Sequence, residues 1–153
     1  MKLYNQIVEF LNEHNVEFKQ IHHEKTPTSE ESAKARGEPL KIGAKALLMK
    51  GKEFIIAILP ADKQLDSKKL RKLLGSKKLR FSTPEEFEEL TGLEKGALPP
   101  FGNLMQIPMI VDKSLFEEEF MAFNAGSLTD SIKIKTADYK QIVNTKIGEF
   151  TKD

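Results

Sequence analysis

The sequence predicts an α+β fold with a mixed, mostly antiparallel central sheet flanked by short helices. Three observations predict it. KALLMK and EFIIAILP are nearly continuous apolar runs separated by Gly51 and Lys52, which is a hairpin pattern. Short helical stretches, several opened by a capping residue and closed by glycine, alternate with the strands. Several strands are joined by hairpins, which argues against a doubly wound sheet.

The elements follow in chain order. Leu3, Ile7, Phe10 and Leu11 recur at helical spacing over residues 3–14. VEFKQI reads as a strand with Val16 and Phe18 on one side. In TPTSEESAKARG, Thr28 caps a second helix, Glu31 stands three residues on, and Gly37 stops it. The two apolar runs come next. Their continuity predicts strands buried on both faces at the centre of a sheet, with Lys45 opening the first. Asp66 caps DSKKLRKLLG, which turns Leu70, Leu73 and Leu74 inward. KLRF is a short strand. Thr83, Pro84 and Glu86 then give the cap, first turn and capping box of another helix. LMQIPMIVD reads as a strand interrupted by Pro108, SLFEEE as a turn or short helix, and FMAFNAG and SIKIK as strands. Thr136 is expected to cap a last helix, ADYKQIVN.

Composition bounds the chemistry. The chain of 153 residues is 39% hydrophobic and 31% charged, as expected of one domain with a single core. It has no cysteine, which excludes disulfides and thiolate catalysis and is compatible with a cytoplasmic setting. MKLYNQIVEF mixes charge into its apolar segment and reads as a helix of the mature protein. No membrane partner is expected. Net charge is +1, but residues 63–80 hold eight basic residues and one acid, Asp66. That stretch is read with equal weight as a solvated helix face or as a phosphate-binding surface.

Several chemistries lack their residues. The three histidines have no zinc-type spacing, so no metal is expected. No serine sits in a nucleophile-elbow context, and neither a Walker loop nor a dinucleotide fingerprint occurs. Glu85, Glu86, Glu88 and Glu89 read as one solvated helix face. Between Gly96 and Gly102, ALPPF carries no acid, base or nucleophile. Pro99 and Pro100 stiffen this loop, and the N–H groups of Gly96, Ala97 and Leu98 remain as oriented donors able to hold a carbonyl oxygen or an oxyanion. The other reading is a rigid surface turn with Phe101 tucked into the core.

Four landmarks carry a resemblance. They are His23 followed by TPTSEESA, GAKALLMK with Lys45, the G-x-x-x-P loop at 96–100 continuing as PPFG, and FNAGS from Phe123 to Ser127. In this order the chain resembles the YbaK/prolyl-tRNA synthetase-associated domains, which are aminoacyl-tRNA deacylases, over essentially its whole length. The resemblance implies one editing domain spanning residues 1–153, located in the cytoplasm, that hydrolyses the ester of tRNA mischarged with a small amino acid, with tRNA-Pro as acceptor. It implies no cofactor and no protein nucleophile. Aminoacyl-tRNA is the implied partner, prolyl-tRNA synthetase a further one, and DNA is not expected.

By position, the resemblance implies that Lys45 engages the phosphate next to the terminal adenosine and that Gly96 positions the ester and water. The substrate pocket is expected from Thr28, Ser29, Ala97, Leu98, Pro99, Pro100, Phe101 and Gly102, with Asn124, Gly126 and Ser127 on its other wall. Lys68, Lys69, Arg71 and Lys72 are expected to meet the tRNA. Ser29 replaces an apolar residue more frequent in alanine-clearing members, which makes the expected pocket more polar and suits a serine- or threonine-type substrate. No histidine lies near FNAGSLTD. The competing reading is a non-catalytic tRNA- or synthetase-binding module of the same fold.

Overall fold

A computed structural model describes residues 2–26 and 28–153. The helices are α1 (Lys2–Glu13), α2 (Ser29–Arg36), α3 (Ser67–Leu74), α4 (Pro84–Thr91) and α5 (Thr136–Val143). The strands are β1 (Lys19–His22), β2 (Ala44–Lys50), β3 (Phe54–Pro60), β4 (Arg80–Phe81), β5 (Met109–Asp112), β6 (Phe120–Asn124), β7 (Asp130–Lys135) and β8 (Lys146–Gly148). The expected α+β class is the observed one. The strands form two sheets, β1-β7-β6 and β4-β2-β3-β5-β8, rather than a single one. Pairings β1–β7, β2–β3, β2–β4 and β6–β7 are antiparallel, while β3–β5 and β5–β8 are parallel. A parallel bridge between Gly43 and Ala122 joins the sheets.

β3 alone meets the expectation of burial on both faces. Ile55 to Leu59 are all buried, alternating between a large core with Ile56 and Ile58 and a smaller one with Ile55, Ala57 and Leu59. β2 stays half-exposed over residues 45–47, although its sequence is just as apolar.

Most helix signals act as their chemistry predicts. The Thr28 hydroxyl accepts from the Glu31 N–H, and Gly37 closes α2 in the left-handed region at φ 72°. The Asp66 carboxylate accepts from the N–H groups of Lys68 and Lys69, and Thr83 and Glu86 form the capping box. Two expectations need correction, and one strand was not expected. Thr136 is not a cap: it lies inside α5, where its hydroxyl donates to the carbonyls of Glu118 and Glu119. β1 begins at Lys19, because Asn15 at φ 57° ends α1 and directs Val16 into the core. KIG forms edge strand β8, which too few apolar residues announced. No helix among the described residues is long and apolar enough to cross a membrane.

Candidate functional site

The outer edge of β2 is paired only at its ends. Gly43 bridges to β6 at one end, and Met49 and Lys50 pair with Phe81 and Arg80 at the other. The Ser82 N–H donates to the Leu48 carbonyl at 3.0 Å, so the even-numbered residues of β2 turn their backbone groups outward. Ala46 is the next residue in that phase, and its N–H and C=O face the gap. The gap is a cleft of about 1070 Å³, bounded by α2 on one side and by residues 81–96 on the other. This explains why β2 stays half-exposed despite its apolar sequence.

Lys45 lines this cleft. Among the described residues no carboxylate lies within ion-pair range of its ammonium. Partial burial pulls its pKa below the ordinary lysine value, while the charges of Glu30 and Asp62 act in the opposite direction. The result is a cation short of both water and a partner, which is the environment an anion would complete.

Gly96 faces Lys45's cleft and holds φ 91°, an angle that favours glycine. The Gly96 carbonyl is fixed by the Asn124 side-chain amide, which donates to it at 2.9 Å. The Asn124 oxygen accepts in turn from Arg36 Nη2 at 3.2 Å, and Arg36 Nε donates to the Ser131 hydroxyl at 2.9 Å. Burial lowers the Arg36 pKa to about 10, which leaves it charged at neutral pH. His23 Nδ1 donates to the Glu24 carbonyl, and its Nε2 lies 2.8 Å from the Ser131 hydroxyl, which also stands within 3.2 Å of the Asn124 oxygen.

The three expected backbone donors divide. The Ala97 N–H is spent on the Glu94 carbonyl at 3.0 Å, and the Ala97 carbonyl accepts from Gly126. The N–H groups of Gly96 and Leu98 donate to no described residue, and both residues line the cleft.

Pro99, Pro100, Phe101 and Gly102 were expected in the pocket, but they lie buried outside its lining. Phe101 packs edge-on against Phe10, Phe123 and Tyr139, and the Tyr139 hydroxyl donates to the Pro100 carbonyl at 2.6 Å. A Cβ at Gly102 would collide with the Ile107 carbonyl and come within 2.7 Å of Met109 Cγ. These four residues therefore carry the loop rather than touch what enters the cleft.

Thr28, Ser29 and Asn124 do line the cleft. Gly126, Ser127 and Ala97 instead border a second depression of about 270 Å³, which shares residues 92–94 with the cleft. The α3 cations lie apart from the cleft as well, because Leu70 seats that helix on the smaller core. Lys69 donates to the Thr151 carbonyl at 2.9 Å and Arg71 to the Lys77 carbonyl at 3.4 Å, while Lys68 and Lys72 are exposed. The sequence reading missed Arg36, Ser32 and Phe81, which all line the cleft. Arg36 resembles any cation in a helix's last turn. Only the partners brought by β6 and β7 distinguish it.

The profile of the aminoacyl-tRNA editing domain matches residues 23–142. The chain belongs to that family. The multifunctional Ser/Thr-tRNA deacylase ProXp-y of Escherichia coli K12 is 35% identical over 153 residues, which cover 96% of this chain and 92% of that protein. The prolyl-tRNA editing protein ProX of Acetoanaerobium sticklandii is 25% identical over 151 residues, covering 94% of this chain and 92% of its own. The crystal structure of a candidate trans-editing enzyme for prolyl tRNA synthetase shares the fold, with TM-score 0.84 and 22% identity over 100% of this chain and 99% of that one. In this member of the editing-domain family the open β2 edge, Gly96 and Leu98 line one cleft.

Proposed function

We propose that this chain is an aminoacyl-tRNA deacylase that clears tRNA carrying a small polar amino acid. The observation that carries the reading is the meeting of three residues on one cleft: Lys45, whose ammonium has no described ion-pair partner, and Gly96 and Leu98, whose N–H groups donate to no described residue. In this reading Lys45 holds the phosphate preceding the terminal adenosine as a point charge. Gly96 and Leu98 receive the ester carbonyl oxygen and the negative charge that develops on it. Water adds to the carbonyl carbon. The C–O bond to the ribose then breaks, and the departing ribose oxygen takes the proton that the water gives up. Free amino acid and tRNA with an intact hydroxyl are the products. An aminoacyl ester is already activated, so positioning and oxyanion stabilisation suffice.

Thr28 and Ser29 line the cleft at the start of α2; the Thr28 hydroxyl is held by Glu31, while no described residue engages the Ser29 hydroxyl. A pocket that hydrogen-bonds a substrate hydroxyl discriminates strongly against the analogue lacking it. Seryl- and threonyl-tRNA are therefore the favoured substrates, in line with what ProXp-y is named for. The assignment of tRNA-Pro as acceptor, and of prolyl-tRNA synthetase as partner, is supported by family likeness alone.

A deacylation panel over seryl-, threonyl-, alanyl- and cysteinyl-tRNA tests the reading. The parent is expected to release serine and threonine fastest. Lys45→Ala is expected to lower kcat/KM on the order of 100-fold, the scale of one lost contact to a charged group. Parent-like turnover by Lys45→Ala, or tRNA binding with no ester loss in any arm, would overturn it.

A further inference from the structure

Phe81 is an anomaly in this fold. It is a large aromatic residue left 59% exposed, on a two-residue strand whose other member, Arg80, is ion-paired with Glu86 at 2.8 Å. Its ring is not part of either core. It lines the same cleft as Lys45 and Gly96.

The register places it relative to Lys45. Phe81 stands directly opposite Met49 in an antiparallel pair, so the two side chains leave the same face of the sheet. Strand alternation puts Lys45, Leu47 and Met49 on that face too. Lys45 therefore lies about 13 Å along β2 from Phe81's partner, at the rise of an extended strand. Between them is Leu47, which also lines the cleft. One face thus carries an ammonium without a carboxylate partner, then Leu47 at the cleft and Met49 buried in the smaller core, then an exposed ring.

That order matches the chemistry of a single-stranded nucleotide, with phosphate at one end and an aromatic base at the other. We propose that Phe81 is the platform on which a nucleobase of the substrate's 3′ end stacks, beside the phosphate held by Lys45. The proposal rests on the deacylase reading for the identity of the ligand. Stacking suits this role because every base has a π-face, and an aromatic side chain loses little rotamer freedom on binding. It also gives the exposed ring a function that folding does not supply.

The test uses Phe81→Ala, Phe81→Leu, Phe81→Tyr and Phe81→Trp in the full chain. The ring is largely in water, so all four are expected to melt close to the parent. On seryl-tRNA, Phe81→Ala is expected to raise KM about tenfold, the typical loss of one base–aromatic stack, and to leave kcat within about twofold. Phe81→Tyr and Phe81→Trp are expected to keep the parental KM, and Phe81→Leu to resemble Phe81→Ala.

A second readout does not depend on turnover. The chain has no tryptophan, so Phe81→Trp introduces its sole indole. Titration with the trinucleotide CCA carrying an amide-linked 3′-serine is expected to quench that fluorescence, more weakly as salt rises. Absence of quenching, a Phe81→Ala protein with parental KM, or full rescue by leucine would each overturn the stacking assignment. Quenching without any ester hydrolysis would support the platform and defeat only the deacylase reading.

Discussion

The two halves of the 96–102 loop are neighbours in sequence and opposites in structure. Gly96 and Leu98 line the cleft with their N–H groups unengaged by described residues, while Pro99, Pro100, Phe101 and Gly102 are buried beneath it. The first half is held by polar contacts to its back: Asn124 grips the Gly96 carbonyl, and Arg36 grips Asn124. The second half is held by apolar packing around the Phe101 ring. A backbone that must present N–H groups to a ligand cannot use them for its own folding. The adjacent segment supplies that anchorage, through the Phe101 ring, the Pro100 carbonyl and the Gly102 N–H, which donates to the Met109 sulfur at 3.0 Å.

If this division is right, substitutions in the two halves separate stability from activity. The largest effect is expected at Phe101→Ala, which empties a fully buried aromatic site and should destabilise the fold by about 3–5 kcal/mol. Chemical denaturation measures it, and a loss below about 1 kcal/mol would mean that the ring is not the anchor.

Asn124→Ala is expected next. It frees the Gly96 carbonyl and should lower kcat on seryl-tRNA about 100-fold, the scale of a misplaced reacting group. Its melting temperature should fall far less than that of Phe101→Ala. Equal falls in the two variants would erase the distinction between the halves.

Tyr139→Phe sharpens the comparison from below. It removes one hydrogen bond to the Pro100 carbonyl and should reduce stability by about 1 kcal/mol, with activity largely kept. Burial drives the Tyr139 pKa upward, so the hydroxyl stays a donor across the accessible pH range and this term does not titrate.

The smallest effect is a pH dependence with two opposed signs. Burial lowers the Lys45 pKa in the folded state, so alkaline pH removes its charge earlier than it would from a free lysine. KM for aminoacyl-tRNA should therefore rise on the alkaline side. In the window between the folded and unfolded pKa values the unfolded chain binds more protons, so this group's contribution to stability rises with pH. Lys45→Arg should move the alkaline KM limb upward in pH, because guanidinium keeps its proton. An unmoved limb would assign the titration to another group.

Local signals in the sequence were legible where the chemistry is local. Asp66 and Thr83 cap their helices because a side-chain oxygen needs only the next turn's N–H groups. The same logic failed at Thr136, whose partners sit in the segment before β6 and outbid the local cap. The apolar run of β2 predicted a strand but also a buried one. Its exposure depends on β4 being two residues long and reaching only Met49 and Lys50.

Lys45 and Gly96 were marked by residue type and spacing, and Arg36 was not. Nothing in AKARG tells that the guanidinium will meet a residue 88 positions away.

By itself the sequence determined the α+β class, most helix ends, the strands of the central hairpin and the stiffness of the 96–102 loop. Each of these follows from residue chemistry acting over a few neighbours. Tertiary structure alone decided which loop amides stay free, where β2 is left open, and that Phe81 shares a face with Lys45. Those depend on pairing register and on contacts between distant segments, where a shift of one residue turns every side chain to the opposite face.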